Sequence, residues 1–340
     1  MLATPLTRLL KVDHPIIQSG MADAGWLIAS EVSNAGALGG IGSIGRSVDA
    51  FREEIRLCRE KTARPFSVNV VTFAWAPHAD ALVDVAIEER VPAIVLSFGD
   101  FGAALRRCRA AGLTTLVQVQ DVAGAQAALD GHADGIIVQG NEAGGHTGGR
   151  GTLSFAAQVL DMAGDTPVAL AGGIANGRGL AAALAMGAGG VMMGTRFKAT
   201  PEFGPSQRFG DAQKAAIVAS DGSNTVRDPI VDMPLSMEWP KGVIGRVIGN
   251  QHTSEWLGRD RELAKAITEA GAPRAFAREL NGSPETVLNW AGEASALVHG
   301  VVPAAQVVRE TMSEAEALLG AVAGLLASQG SERSPIRSLD

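Results

Sequence analysis

Between residues 14 and 195 the chain repeats one unit: a short apolar run, a polar or glycine-rich turn, then a segment of helical periodicity. The runs are Pro15–Gln18, Leu38–Ile41, Phe66–Val70, Ala93–Leu96, Thr115–Val119, Gly135–Val138, Val168–Ala171 and Gly190–Met193. Helical patterns between them include Val48–Lys61, Ala79–Glu89, Phe101–Ala111 and Gly177–Met186. Strand–helix alternation at roughly 20–30 residue spacing implies a parallel sheet. These runs match the strands of an α/β (β/α)8 TIM barrel. A doubly wound open sheet needs a phosphate loop at its first turn. The first turn here, Ser19-Gly20-Met21-Ala22, is no dinucleotide fingerprint.

The pattern changes after residue 200. Residues 201–289 carry polar turns, Trp239 and Trp256, and helix-like pieces without strand alternation. This stretch reads as a mainly helical insertion, or lid, after the eighth strand. The barrel then comprises 1–200 and 290–327, with Ala304–Ala327 as its closing helix. Residues 328–340 read as a flexible tail.

Composition narrows the function classes. The chain has 340 residues, 46% of them hydrophobic, and a net charge of −7. With no basic cluster, nucleic acid is excluded as a partner. No apolar run is long enough for a membrane span. The first residues, Met1 to Arg8, hold no signal-peptide core. Cys58 and Cys108 lie in helical patterns without metal-ligand neighbours, as expected of reduced thiols in a cytoplasmic protein.

Three glycine loops follow three of the apolar runs. Gly172-Gly173 follows the seventh and Gly194-Thr195 the eighth, the loops with which barrels commonly grip phosphate. Asn176 is placed to cap the helix that begins at Gly177. The loop after the sixth run, Asn141-Glu142-Ala143-Gly144-Gly145-His146, holds an imidazole suited to proton transfer near neutral pH. Glu142 can brace this loop, orient His146 or touch a ligand; the brace is the preferred reading. The other histidines read as structural or exposed. Amides at strand ends, Asn69, Gln118 and Gln139, can bond the edge of a planar heterocycle or satisfy loop backbone.

These segments resemble the nitronate monooxygenase family, FMN-containing TIM barrels once called 2-nitropropane dioxygenases. The resemblance is carried by Pro15-Ile16-Ile17-Gln18-Ser19-Gly20-Met21, by the stretch from Glu31 to Gly39 and by Gln139-Gly140-Asn141-Glu142-Ala143-Gly144-Gly145-His146-Thr147-Gly148. It continues through Ala171-Gly172-Gly173-Ile174 and Met193-Gly194-Thr195-Arg196-Phe197, and covers nearly the whole chain. It implies that Gly20, Met21 and Ala22 lie near the isoalloxazine. Asn69, Gln118, Gln139, Gly144 and Gly145 would bind the flavin and its ribityl chain. Ala171, Gly172, Gly173 and Ile174, with Gly194 and Thr195, would hold the phosphate. His146 falls on the family's catalytic histidine.

The implied reaction is FMN-dependent oxidation of alkyl nitronates by O2 to a carbonyl compound and nitrite, with His146 as base. The implied partners are a small-molecule substrate and O2, with a homodimer as the assembly to test. Related barrels reduce quinones or enoyl thioesters with NAD(P)H. Efficient nitronate oxidases of the family carry tyrosines and a lysine around the substrate, and this chain has no tyrosine. Trp75, Trp239 or Phe197 are the aromatic residues expected to line the pocket instead.

Overall fold

The computed structural model describes residues 2–73, 76, 78–204, 210–235, 239–271 and 273–331. Its strands are β1 (Ile16–Gln18), β2 (Gly39–Gly42), β3 (Phe66–Thr72), β4 (Ala93–Gly99), β5 (Thr114–Val119), β6 (Gly135–Gln139), β7 (Gly145–Thr147), β8 (Val168–Ala171), β9 (Gly190–Met193), β10 (Thr225–Arg227) and β11 (Ile244–Ile248). All except β7, β10 and β11 form one parallel sheet, in the order β1-β9-β8-β6-β5-β4-β3-β2. A parallel bridge between Ile17 and Leu38 joins its two ends and completes the ring. The architecture is the (β/α)8 barrel expected from the alternation.

Side chains alternate across each strand, so every second residue points into the barrel. Ile17, Val95, Leu116, Ile137, Ala169 and Met192 form an apolar inner layer with Leu6 and Leu10. Those leucines come from a helix, Pro5–Leu10, that covers the N-terminal end of the barrel. Its cap residue Thr4 also donates its hydroxyl to the Gly189 carbonyl at 2.6 Å. Two residues further along the strands, Val95 gives way to Ser97, Leu116 to Gln118 and Ile137 to Gln139. The interior therefore turns polar at the C-terminal end, where barrels place their chemistry.

A second core lies between the sheet and its outer helices and buries Phe51, Ile55, Phe155, Leu180 and Val308. The last helix, Ala304–Ser331, runs past the expected boundary at Ala327. It is held to the helix Gly177–Ala185 by Glu314, whose carboxylate accepts from the Gly177 amide at 2.8 Å. Residues 332–340 lie outside the described residues. No described helix is long and apolar enough to cross a membrane.

Two features depart from the expected pattern. The segment after β9 contains the short strands β10 and β11 besides its helices. The glycine-rich stretch holding His146 is itself partly a strand. β7 pairs antiparallel with β11, and β11 with β10. Neither β7 nor β11 shows a distinctive pattern locally. Each becomes a strand because the other, distant in sequence, supplies its hydrogen bonds.

Candidate active site

The polar end of the barrel opens into a cavity. Every residue predicted to bind cofactor lines it, together with His146. The loop after β1 supplies Gly20, Met21 and Ala22, and β3, β5 and β6 supply Asn69, Gln118 and Gln139. The stretch around β7 supplies Gly144, Gly145 and His146. The loops after β8 and β9 supply Ala171, Gly172, Gly173 and Ile174, then Gly194 and Thr195.

The glycine loops leave backbone donors unused. Gly172 and Gly173 take φ of 105° and 71°, a region that side-chain-bearing residues rarely enter. Among the described residues, the N–H groups of Gly173, Gly194 and Thr195 have no acceptor in the chain. Gly194 opens a short helix, Thr195–Lys198, and Asn176 caps the helix after β8 by accepting from the Gly179 amide at 3.3 Å. Convergent free N–H groups on adjacent loops suit a phosphate. The residues present therefore fit a phosphate-bearing flavin.

The three amides are differently committed. Asn69 donates to the Gly20 carbonyl at 3.1 Å and accepts from Ser97 Oγ at 3.0 Å. It ties β3 to the loop after β1 and sits within its strand, which continues to Thr72. Gln139 Oε1 accepts from Gln120 at 3.0 Å, leaving its amide N–H groups for a ligand. Gln118 makes no side-chain hydrogen bond within the chain among the described residues. It offers both a donor and an acceptor to the cavity.

His146 is nearly buried, and its Nε2 lies 2.6 Å from Asp232 Oδ1. Its ring stacks on Trp239 at 3.7 Å between centroids and packs against Trp290 at 4.9 Å. Asp232 and Trp239 belong to the segment after β9. Glu142 does not touch His146. Its carboxylate accepts from the Thr152 amide at 2.9 and 3.0 Å and from Thr152 Oγ1 at 2.7 Å. It braces the loop against the helix Thr152–Ala163. Arg246 Nε donates to Asn141 O at 3.1 Å, and Arg227 donates to Gly148 O at 2.8 Å. Two arginines from β10 and β11 thus hold both ends of the stretch that carries the imidazole.

The aromatic residues that line the cavity are Phe98, Phe203, Trp239 and Trp290. Phe98 adopts φ of 60° at the end of β4, an outlier for a bulky residue, and its ring meets Trp239 edge-on at 5.1 Å. Such conformations cluster where function demands a placed side chain. Trp239 is where the sequence reading expects it. Phe197 is in the outer core, away from the cavity, because it stands two residues after the cavity-facing Thr195, on the opposite side of the short helix. Trp75 lies outside the described residues. Phe98, Phe203 and Trp290 are missed by the sequence reading, as are Asp232 and Lys198. Lys198 alone leaves a local signal: it stands one helical turn after Thr195 and so shares its face.

The cysteines take no part. Both are buried in the outer core, and burial pushes the thiols up to about 12 for Cys58 and about 11 for Cys108.

The model of the family described as nitronate monooxygenase matches residues 3–81 and 74–314. A probable nitronate monooxygenase from Staphylococcus saprophyticus is 31% identical over 351 residues, covering 87% of this chain and 93% of that protein. A (3aS,4S,5R,7aS)-5-hydroxy-7a-methyl-1-oxo-octahydro-1H-indene-4-carboxyl-CoA dehydrogenase from Rhodococcus jostii is 39% identical over 206 residues. That match takes in 59% of this chain and 56% of the dehydrogenase, little more than half its length. Among solved structures, FabK from Thermotoga maritima superposes with a TM-score of 0.81 at 30% identity, over 96% of this chain and all (100%) of that one. With its barrel, its glycine loops and its histidine in place, this chain belongs to the nitronate monooxygenase family of flavin-dependent oxidoreductases.

Proposed function

We propose that this protein uses FMN to oxidise alkyl nitronates, and the nitroalkanes from which they derive, with O2 as acceptor, to a carbonyl compound and nitrite. The observation that carries the reading is His146, held by Asp232 and lining the same cavity as the unused N–H groups of Gly173, Gly194 and Thr195. FMN, when bound, supplies the electron transfer between organic substrate and O2. The three N–H groups would hold its phosphate, and Gln118 and Gln139 would bond the edge of its ring system.

The rest falls to side chains. Asp232 accepts the proton-bearing Nε2 of His146, which leaves Nδ1 with the lone pair. Nδ1 then takes the α-proton of a neutral nitroalkane, and Asp232 stabilises the imidazolium that results. Trp239 stacks on the ring and fixes its plane. Phe98, Trp239 and Trp290 keep water from the carbanion-like carbon. The segment 201–289 acts as a lid, since it brings Asp232, Leu235 and Trp239 over the barrel mouth.

Denatured protein should release FMN in a one-to-one ratio, and aerobic turnover of a primary nitronate should yield nitrite. Release of FAD, or of no flavin from protein that FMN cannot reconstitute, contradicts the reading. A second reading keeps the same FMN site but reduces a quinone or enoyl thioester with NAD(P)H. Its support is the likeness to FabK and to a dehydrogenase named for an acyl-CoA.

A further inference from the structure

Among the described residues, Lys198 is the one lysine or arginine that lines the cavity. It is only 4% exposed. Its ammonium carries three donors, yet its hydrogen bond within the chain is a single long one, 3.5 Å to the Trp290 carbonyl. The carboxylate that acts on it, Asp23, also lines the cavity, but the two form no ion pair. Burial without a close counter-charge lowers the amine to about 8, so it remains mostly charged at neutral pH. A buried, poorly paired ammonium costs stability. A leucine or methionine of similar length would pack there at no such cost. The lysine makes sense only if something in the cavity completes it.

The surroundings define that ligand. Thr195 and Lys198 lie three residues apart on one short helix and share the face that looks into the cavity. The N–H cradle beside them is built from neutral groups, so a bound dianion would find its formal counter-charge in Lys198. Trp290 links the amine to the chemistry: its carbonyl contacts Nζ, and its ring lies 4.9 Å from that of His146. We propose that Lys198 binds an oxyanion in this cavity. The oxyanion is either the phosphate monoester of the cofactor or the anionic oxygen of the organic substrate. The choice between those two sources rests on the flavin reading above; the oxyanion itself does not.

The test uses the full chain, stripped of flavin, as wild type, Lys198→Met, Lys198→Gln and Lys198→Arg. Each is titrated with FMN and with riboflavin. Each FMN-loaded form is then titrated with propionate, a planar anion shaped like a small nitronate, and with its neutral isostere propionamide, followed through the flavin spectrum. If the phosphate is the partner, Lys198→Met and Lys198→Gln lose about tenfold or more in FMN affinity and keep that for riboflavin. If the substrate is the partner, FMN affinity holds, propionate affinity falls by the same factor and propionamide binding is unchanged. Lys198→Arg retains most of the binding in either case.

The proposal is overturned if FMN and propionate affinities both survive, or if the uncharged ligands weaken in step with the anions. Melting of the flavin-free forms separates a structural role. Lys198→Met should melt no lower than wild type, and a marked drop would mean that the lysine serves the fold. Wild type that binds neither flavin refutes the cofactor reading alone. Inorganic phosphate then decides: it should raise the melting temperature of wild type and not of Lys198→Met, whereas an equal effect on both overturns the proposal.

Discussion

Asp232 Oδ1 lies 2.6 Å from His146 Nε2, although the two residues are 86 positions apart in the chain. The contact joins the barrel to the segment that follows its last strand. It also decides which ring nitrogen is left for chemistry. A carboxylate held against Nε2 keeps the proton there and exposes Nδ1 as the acceptor.

Replacing His146 by alanine should therefore separate two substrates. A neutral nitroalkane needs a base, and general base catalysis contributes about 10²–10⁴-fold. A preformed nitronate has already lost its proton. Steady-state rates with both forms of one compound should show the larger loss on the nitroalkane. Equal losses would assign His146 a binding role.

Asp232→Asn keeps the shape of the pair and removes its charge. The amide presents either a donor or an acceptor to Nε2, so the tautomer is no longer fixed. Turnover of nitroalkane should fall about tenfold or more, less than for His146→Ala, with nitronate turnover little changed. Unchanged nitroalkane turnover would show that the contact only secures the lid.

Asp232 also marks the limit of what could be read from the sequence. The barrel was legible because its strands repeat a local pattern, apolar run then helix, eight times over. The glycine loops were legible because Gly172, Gly173 and Gly194 follow those runs directly. The partner of His146 was not. Glu142 is close in sequence, but Thr152 takes its carboxylate. Asp232 sits in a turn with nothing periodic around it. Its place is fixed by β11 pairing with β7, a pairing between two stretches that each look like loops. Phe98 was hidden for a related reason. Its ring turns into the cavity through a positive φ, which an aromatic residue gives no sign of adopting.

Glu142→Ala should destabilise the fold and touch the chemistry only indirectly. It removes three hydrogen bonds at the start of the helix Thr152–Ala163. Urea unfolding should register a loss of about 1–3 kcal/mol. Normal stability with abolished turnover would instead place Glu142 in contact with a ligand.

Gly194→Val tests the phosphate loop. Gly194 has an ordinary negative φ of −109°. A Cβ there would come no nearer than 3.4 Å to another atom, Met21 Sδ. The flavin-free protein should tolerate the change, while the branched side chain occupies ligand space. FMN affinity should fall by a larger factor than riboflavin affinity in fluorescence titration. Parallel losses would move the phosphate elsewhere.

The pH dependence of stability should carry the signature of Lys198. Its amine is lowered from 10.5 to about 8 by burial. Below pH 8 both folded and unfolded chains hold the proton, and the folded state bears the full cost of a buried charge, of order 3 kcal/mol. Between pH 8 and 10.5 the unfolded chain binds a proton that the folded chain releases, so stability rises with pH. Flavin-free wild type should gain on Lys198→Met across that window in melting experiments. A gap independent of pH would show that the amine is not buried in solution.

The most direct measurement is anaerobic mixing of the FMN-loaded protein with one candidate donor at a time, followed by flavin absorbance. An alkyl nitronate should bleach or semi-reduce the flavin within the turnover time, while NADH and NADPH leave it oxidised for much longer. Rapid bleaching by a pyridine nucleotide, with none by nitronate, would contradict the proposed reaction. It would move the protein to the reductase reading with its barrel and flavin site unchanged.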